Sequence, residues 1–221
     1  MLIQCNECGN NISSKANSCP HCGCPDIETW KTIKIVGSPA SIEESAFEHF
    51  KLEEIEIPNT VANIGSGAFW ECSNLESITI PSSVTNIGIG AFYHCTSLHD
   101  IKIPESVVTI EKATFTYCIN LRNISLPNSL REVGCEAFKE CISLTEIKIP
   151  EFVEDICGDA FRGCCNLENV TAPEKFRKFF EDDFPNVNFK SYTRENLDGY
   201  DDLNPYGLEG NDYESWMDSI D

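Results

Sequence analysis

One phrase recurs along most of this chain at a fixed spacing. It is clearest as Leu75-x-x-Ile78-x-Ile80-Pro81 followed by Ile87-Gly88-x-x-Ala91-Phe92-x-x-Cys95. It restarts at Leu98, Leu121, Leu144 and Leu167, each 23 residues after the last. A slightly shorter copy opens at Leu52, and a worn first copy at Trp30, with Ile33 and Ile35 in place and Val36 where proline would stand. A single copy of this size cannot bury its apolar side alone, so the copies must stack into a solenoid. A stack offers an extended surface rather than a pocket. The expectation is a binding scaffold and not an enzyme, and no nucleophile, base and orienting group occur together at motif spacing.

Each position of the phrase has a physical role. Leu75, Ile78 and Ile80 alternate inward along a strand, while Ser77 and Thr79 point out. Pro81 lacks an amide donor and ends the ladder at the same place in each turn. Val84 and Ile87 cover a second side of the coil, and Gly88 is expected to permit a tight bend there. Phe47, Phe69, Phe92, Phe115, Phe138 and Phe161 form a column of rings, each contributing about 2–3 kcal/mol by burial.

The 13 cysteines separate into groups. Cys5-x-x-Cys8-Gly9 and Cys19-x-x-Cys22-Gly23 are matching knuckles that supply four soft ligands in pairs, the set a tetrahedral structural zinc ion requires. The glycine after each pair permits a left-handed backbone that folds amides toward the sulfurs. A segment this short cannot fold on apolar burial alone, so one bound zinc ion supplies its folding energy. Redox pairs would need a βαβ setting that is absent here. His21 and Cys24 are candidate substitute ligands but read better as bystanders. Cys72, Cys95, Cys118, Cys141 and Cys164 share one repeat position, where parallel side chains suit packing better than disulfides. Cys24, Cys135, Cys157 and Cys165 are left over. Reduced thiols with a zinc site point to a reducing compartment.

The formal charge is −20 and unevenly spread. Residues 193–221 hold nine acids against Arg194, whereas the first 26 residues are almost neutral. This balance repels nucleic-acid phosphate and anionic membranes, and it counts against both as partners. The N-terminus has no basic region followed by an apolar one, and no run is long and apolar enough to span a bilayer. The chain is expected in the cytoplasm, with the cell surface as the alternative.

The pattern Leu-x-x-Ile-x-Ile-Pro-x-x-Val-x-x-Ile-Gly-x-x-Ala-Phe-x-x-Cys resembles the BspA-type, or Treponema pallidum-type, leucine-rich repeat, over residues 30 to about 173. The resemblance implies a curved solenoid of parallel strands and a role as surface adhesin or interaction protein of bacteria and some protists. Departures are Thr114 at the alanine, Glu111 and Cys157 at the glycine, and Phe152 at the usual Ser/Thr. The N-terminal segment resembles short bacterial zinc ribbons. Residues 1–26 are therefore expected as a zinc ribbon, 27–173 as a mainly β leucine-rich repeat solenoid of 22–23-residue period, 174–192 as a C-terminal cap, and 193–221 as an acidic disordered tail.

Two stripes of that solenoid are candidate protein-binding surfaces. The outward strand positions include Ser77, Thr79, Asp100, Lys102, Asn123, Ser125, Glu146 and Lys148, with Lys102 and Lys148 expected to pair with neighbouring acids. In the two places after the repeat phenylalanine stand Trp70, Tyr93 and Tyr117, rings suited to a protein contact. The expected partner is a protein, bound by a monomer. In the cap, Phe176, Phe179, Phe180 and Phe184 follow helical spacing up to Pro185, and residues 186–190 read as an edge strand. The tail mixes its acids with Tyr200, Tyr206, Tyr213, Trp216 and Met217. It reads either as a solvating segment or as a short motif that folds onto a partner or back onto the solenoid.

Overall fold

A computed structural model describes residues 1–192; the tail expected to be disordered, 193–221, lies outside the described residues. The chain forms a parallel β-solenoid. One face is built from short strands at Thr32–Lys34, Glu54–Glu56, Ser77–Ile78, Asp100–Lys102, Asn123–Ser125, Glu146–Lys148 and Asn169–Thr171. These strands form three ladders, and within each register is kept residue for residue, with Ile101 beside Ile78 and Ile124 beside Ile101. A second face carries two-residue strands, Ser41–Ile42, Asn63–Ile64, Asn86–Ile87, Thr109–Ile110, Glu132–Val133 and Asp155–Ile156. Every apolar position of the phrase points between the faces, and the buried residues form one continuous core from Ile3 to Phe180.

The phenylalanine column is its axis. Successive rings from Phe47 to Phe161 lie nearly parallel at centroid spacings of 5.1–5.5 Å. Phe50 closes one end edge-on at 5.5 Å, and Phe180 tilts over the other at 5.4 Å. Phe180 comes from the α-helix Arg177–Asp183, which follows a 3-10 turn at Glu174–Phe176. The strand Asn188–Lys190 then adds in parallel to Asn169–Thr171 and covers the last edge.

The repeat glycines act by close approach and not through a special bend. A Cβ on Gly65, Gly88 or Gly134 would meet the backbone of the preceding turn at 2.5–2.7 Å, while the φ of these residues is ordinary. The amide of each bonds a carbonyl one turn back, as in Gly88 N–H to Ile64 at 2.8 Å. Glu111 stands where that glycine should be. There the equivalent bond to Ile87 is missing, and the second face divides into two separate three-stranded sheets between Asn86–Ile87 and Thr109–Ile110. The fold survives the departure, but the ladder does not cross it, whereas at Cys157, the other departure from glycine, the amide still bonds Val133 O at 2.9 Å.

Candidate functional site

The N-terminal segment is a two-stranded antiparallel ribbon, Leu2–Gln4 against Asn11–Ser13, with the two knuckles at its end. Each knuckle repeats the same local bonding. Gly9 N–H reaches Cys5 O and Gly23 N–H reaches Cys19 O, both at 2.9 Å, with the glycines at φ +72° and +76°. Cys5 Sγ lies 3.7 Å from Cys22 Sγ, and Cys8 Sγ lies 3.6 Å from Cys19 Sγ. All four sulfurs fall within 4.8 Å of one another. A tetrahedral ion with bonds of about 2.3 Å to sulfur needs edges near 3.8 Å, so the donor set fits a metal such as zinc.

The proton chemistry of the cluster agrees with that fit. The Asn10 backbone amide and side-chain amide hold the Cys8 thiol down to about 6. At Cys22 the Cys24 backbone amide pulls the same way, but burial and the sulfurs of Cys19, Cys8 and Cys5 outweigh it and push the thiol up to about 12. The Cys8 thiolate forms readily, while Cys5 and Cys22 resist a second negative charge beside it unless a cation neutralises the group. His21 and Cys24 stand outside the cluster.

The ribbon is also seated on the solenoid. Ile3 bridges to Ile35, Val36 N–H bonds Leu2 O at 3.1 Å, and Asn6 Nδ2 donates to Thr32 O at 3.0 Å. Lys15 pairs with Glu43 at 3.2 Å. Ile3, Ile12 and Ile27 join the same core as Trp30 and Ile33. Two of the four metal-set cysteines, Cys5 and Cys19, are buried within it, while Cys8 and Cys22 face outward.

The first strand face carries the outward residues expected there, in two columns. Asp100 lies beside Ser77 and Asn123, and Asn123 Nδ2 donates to Asp100 Oδ1 at 2.6 Å. In the other column Lys102 lies beside Ser125, Lys148 beside Thr171, and Thr171 beside Lys190. Thr79 falls just past the end of its strand. The expectation that Lys102 is neutralised by neighbouring acids is not met: it makes no ion pair with a described residue, because Asp100 and Glu146 occupy the parallel column. The Lys148 ammonium sits 5.9 Å from the centre of the Tyr192 ring. A shallow hollow of about 460 Å³ runs over this face between the columns, with Ile124, half-buried, in its floor.

The aromatic stripe is a cluster with internal order. Trp70 stacks on Tyr93 at 3.9 Å, and the Trp70 ring rests where a Cβ on Gly90 would stand, at 3.1 Å. Trp70 Nε1 donates to Glu71 at 3.3 Å. Tyr117 sits one place later in its turn than the other two, at φ +61°, and meets Tyr93 and His94 edge-on at 5.9 and 5.8 Å. The rings therefore cover one another's faces and present edges to solvent.

Sequence reasoning missed one feature of the cysteines. Cys135 and Cys157 form a disulfide across adjacent turns, with Cα atoms 4.8 Å apart. Uniformly reduced thiols were expected, and this pair departs from that. The two residues do not share a column and are out of step: Cys135 follows the repeat glycine Gly134, whereas Cys157 replaces the glycine of the next turn. Their Cβ vectors can then converge. Two non-consensus cysteines in neighbouring turns were the available signal. Asp159 lies against the pair, 3.4 Å from the Cys157 sulfur.

The chain matches the family model for the BspA type leucine rich repeat region, in six copies over residues 23–118 and 87–198. Among solved structures it is similar to the T. pallidum leucine-rich repeat protein, at 30% identity and a TM-score of 0.51, over 64% of each chain. It is similar to a leucine-rich repeat protein from Bacteroides ovatus, at 25% identity and a TM-score of 0.58, over 74% of this chain and 54% of that one. A leucine-rich repeat protein from Eubacterium ventriosum matches at 26% identity and a TM-score of 0.51, over 69% and 47%. The chain thus spans about half to two thirds of the length of these structures. No curated protein matches it.

Proposed function

The chain belongs to the BspA-type leucine-rich repeat family, and on that premise we propose that it is a noncatalytic scaffold whose first strand face binds a protein partner. The observation that carries this reading is the face itself: seven stacked turns, in register within three ladders, hold outward side chains in two polar columns, with an open hollow over the turns from Ser77 to Lys148. Such a surface suits recognition by many weak contacts and offers no enclosed place for chemistry. Asp100, Lys102, Asn123, Ser125, Glu146 and Lys148 are its central residues, and Trp70, Tyr93 and Tyr117 supply a second contact edge. Affinity capture from cells tests the reading. Lys102→Glu with Lys148→Glu, or Trp70→Ala with Tyr93→Ala, should change the set of bound proteins. An unchanged set in both double variants overturns it.

The ribbon's role in this proposal is structural, with one zinc ion held by Cys5, Cys8, Cys19 and Cys22. Four thiolates close the coordination sphere and leave no position for a substrate. Metal analysis should return one zinc per chain, lost in Cys8→Ser. We keep the cytoplasm as the proposed location, supported by eleven free cysteines. A second reading, a surface adhesin, is favoured by the Cys135–Cys157 disulfide, which an oxidising exterior would preserve. Cell fractionation with thiol labelling separates the two. The acidic balance argues against nucleic acid, so a mobility-shift assay at low salt should be flat.

A further inference from the structure

The lysine column and the exit of the chain meet at one place. The repeat places Lys102 and Lys148, and register places Lys148 and Lys190, at every second strand of the first face, about 10 Å apart at ordinary strand spacing. Arg122 borders the same hollow. Around it three basic side chains, Lys102, Arg122 and Lys148, outnumber Asp100 and Glu146, in a chain whose net charge is −20. Lys102, Arg122 and Lys190 have no carboxylate at ion-pair distance among the described residues. The hollow is therefore a locally positive patch, by one charge, on a strongly negative molecule.

The chain reaches position 192 at the rim of that patch. The Tyr192 hydroxyl donates to Ile149 O, directly after Lys148, and its ring lies under the Lys148 ammonium. From there 29 residues continue, carrying nine acids against Arg194, with Tyr200, Tyr206, Tyr213 and Trp216 among them. Lys102 is two lysine-to-lysine separations from the rim, a distance that about six extended residues cover. The short tether gives the tail an effective concentration of about millimolar at the patch, so even weak paired contacts are populated. Ile124 in the floor of the hollow offers an apolar contact for a ring.

We propose that residues 193–221 are an intramolecular ligand of the lysine column, occupying the first strand face until a protein partner displaces them. The competition with a partner rests on the function proposed above; the contact itself does not.

Amide spectra of the full chain and of a chain ending at Tyr192 test it. Truncation should shift amides at residues 100–102, 122–125 and 146–148, and a peptide of residues 193–221 added in trans should return them. High salt should abolish the difference, since the contact is between screened surface charges. Lys102→Glu with Lys190→Glu in the full chain should reproduce the truncated pattern along this face. Shifts confined to residues 188–192, or spectra that superimpose, overturn the proposal. A difference that disappears on dilution of the full chain also overturns it, because the tail would then be bound by a second copy. These results do not depend on partner capture. If no protein is captured by either form while the shifts appear, the tail contact stands and the scaffold reading fails. If a protein is captured equally by both forms and no shifts appear, only the tail contact fails.

Discussion

The cysteine column shows how a residue that reads as packing also bonds. Cys72, Cys95, Cys118, Cys141 and Cys164 are buried, and each thiol donates to the carbonyl of a phenylalanine in the preceding turn, at 3.0–3.2 Å. Alanine would fill part of the volume and leave that carbonyl one donor short; serine keeps a donor. Burial raises all five thiols above their ordinary value of 9.0, Cys164 to about 12. The sign of the resulting pH dependence follows from proton counting. Below pH 9 folded and unfolded chains both hold these protons, so the full stability is present. Above it the unfolded chain releases them and the folded chain does not, so stability falls as pH rises from 9 toward 12. Each thiol contributes a slope of about 1.4 kcal/mol per pH unit in that window. Cys164→Ser should lower the slope by one such increment in denaturant titrations at several pH values. An unchanged slope would show that the Cys164 thiol does not carry it.

Within a turn, the glycine that permits contact between neighbours is the controlling residue. Gly88→Ala drives a Cβ to 2.5 Å from the Ser66 amide nitrogen. It should cost at least about 2 kcal/mol, read as a shift in the unfolding midpoint. The reverse change tests whether Glu111 accounts for the missing rung. In Glu111→Gly the residue-111 amide should become protected from hydrogen exchange by bonding Ile87, joining the two halves of the second face; fast exchange in the variant would mean that something other than the Cβ divides them. The disulfide acts between elements as well. Cys135 and Cys157 close a loop with a sequence separation of 22, for which chain entropy predicts about 3 kcal/mol of stabilisation. Reduction should remove that much from the unfolding free energy, and Cys135→Ser should show no further effect of reductant. A chain equally stable in both redox states would rule the crosslink out.

At the scale of the molecule, the ribbon is an end cap held by a metal-ligand set. Its isoleucines complete the core of the first turn, and two of its four thiols are inside that core. With the proposed zinc bound, chelation should therefore expose the Trp30 end of the solenoid, lowering the thermal midpoint and raising exchange at residues 32–35 before residues 169–171. Loss confined to residues 1–26 would show that the ribbon and solenoid are independent. The helix at Arg177–Asp183 does the corresponding work at the other end through Phe180.

Much of this was legible in the chain. Leu, Ile and Phe recurring at 23 residues specify a parallel stack, because only that arrangement buries the same face of every copy. The two Cys-x-x-Cys knuckles specify a four-sulfur cluster, because their spacing is local. What tertiary structure alone decided are relations between turns: that Lys102 faces Ser125 and not an acid, that Cys135 meets Cys157, that the second face breaks at the turn of Glu111, and that the ribbon closes the core. Those depend on which residues of different copies come into register, and on how far a backbone can approach its neighbour. A repeat fixes its own inward and outward sides by alternation; the partners of its outward side are set only when the turns are stacked.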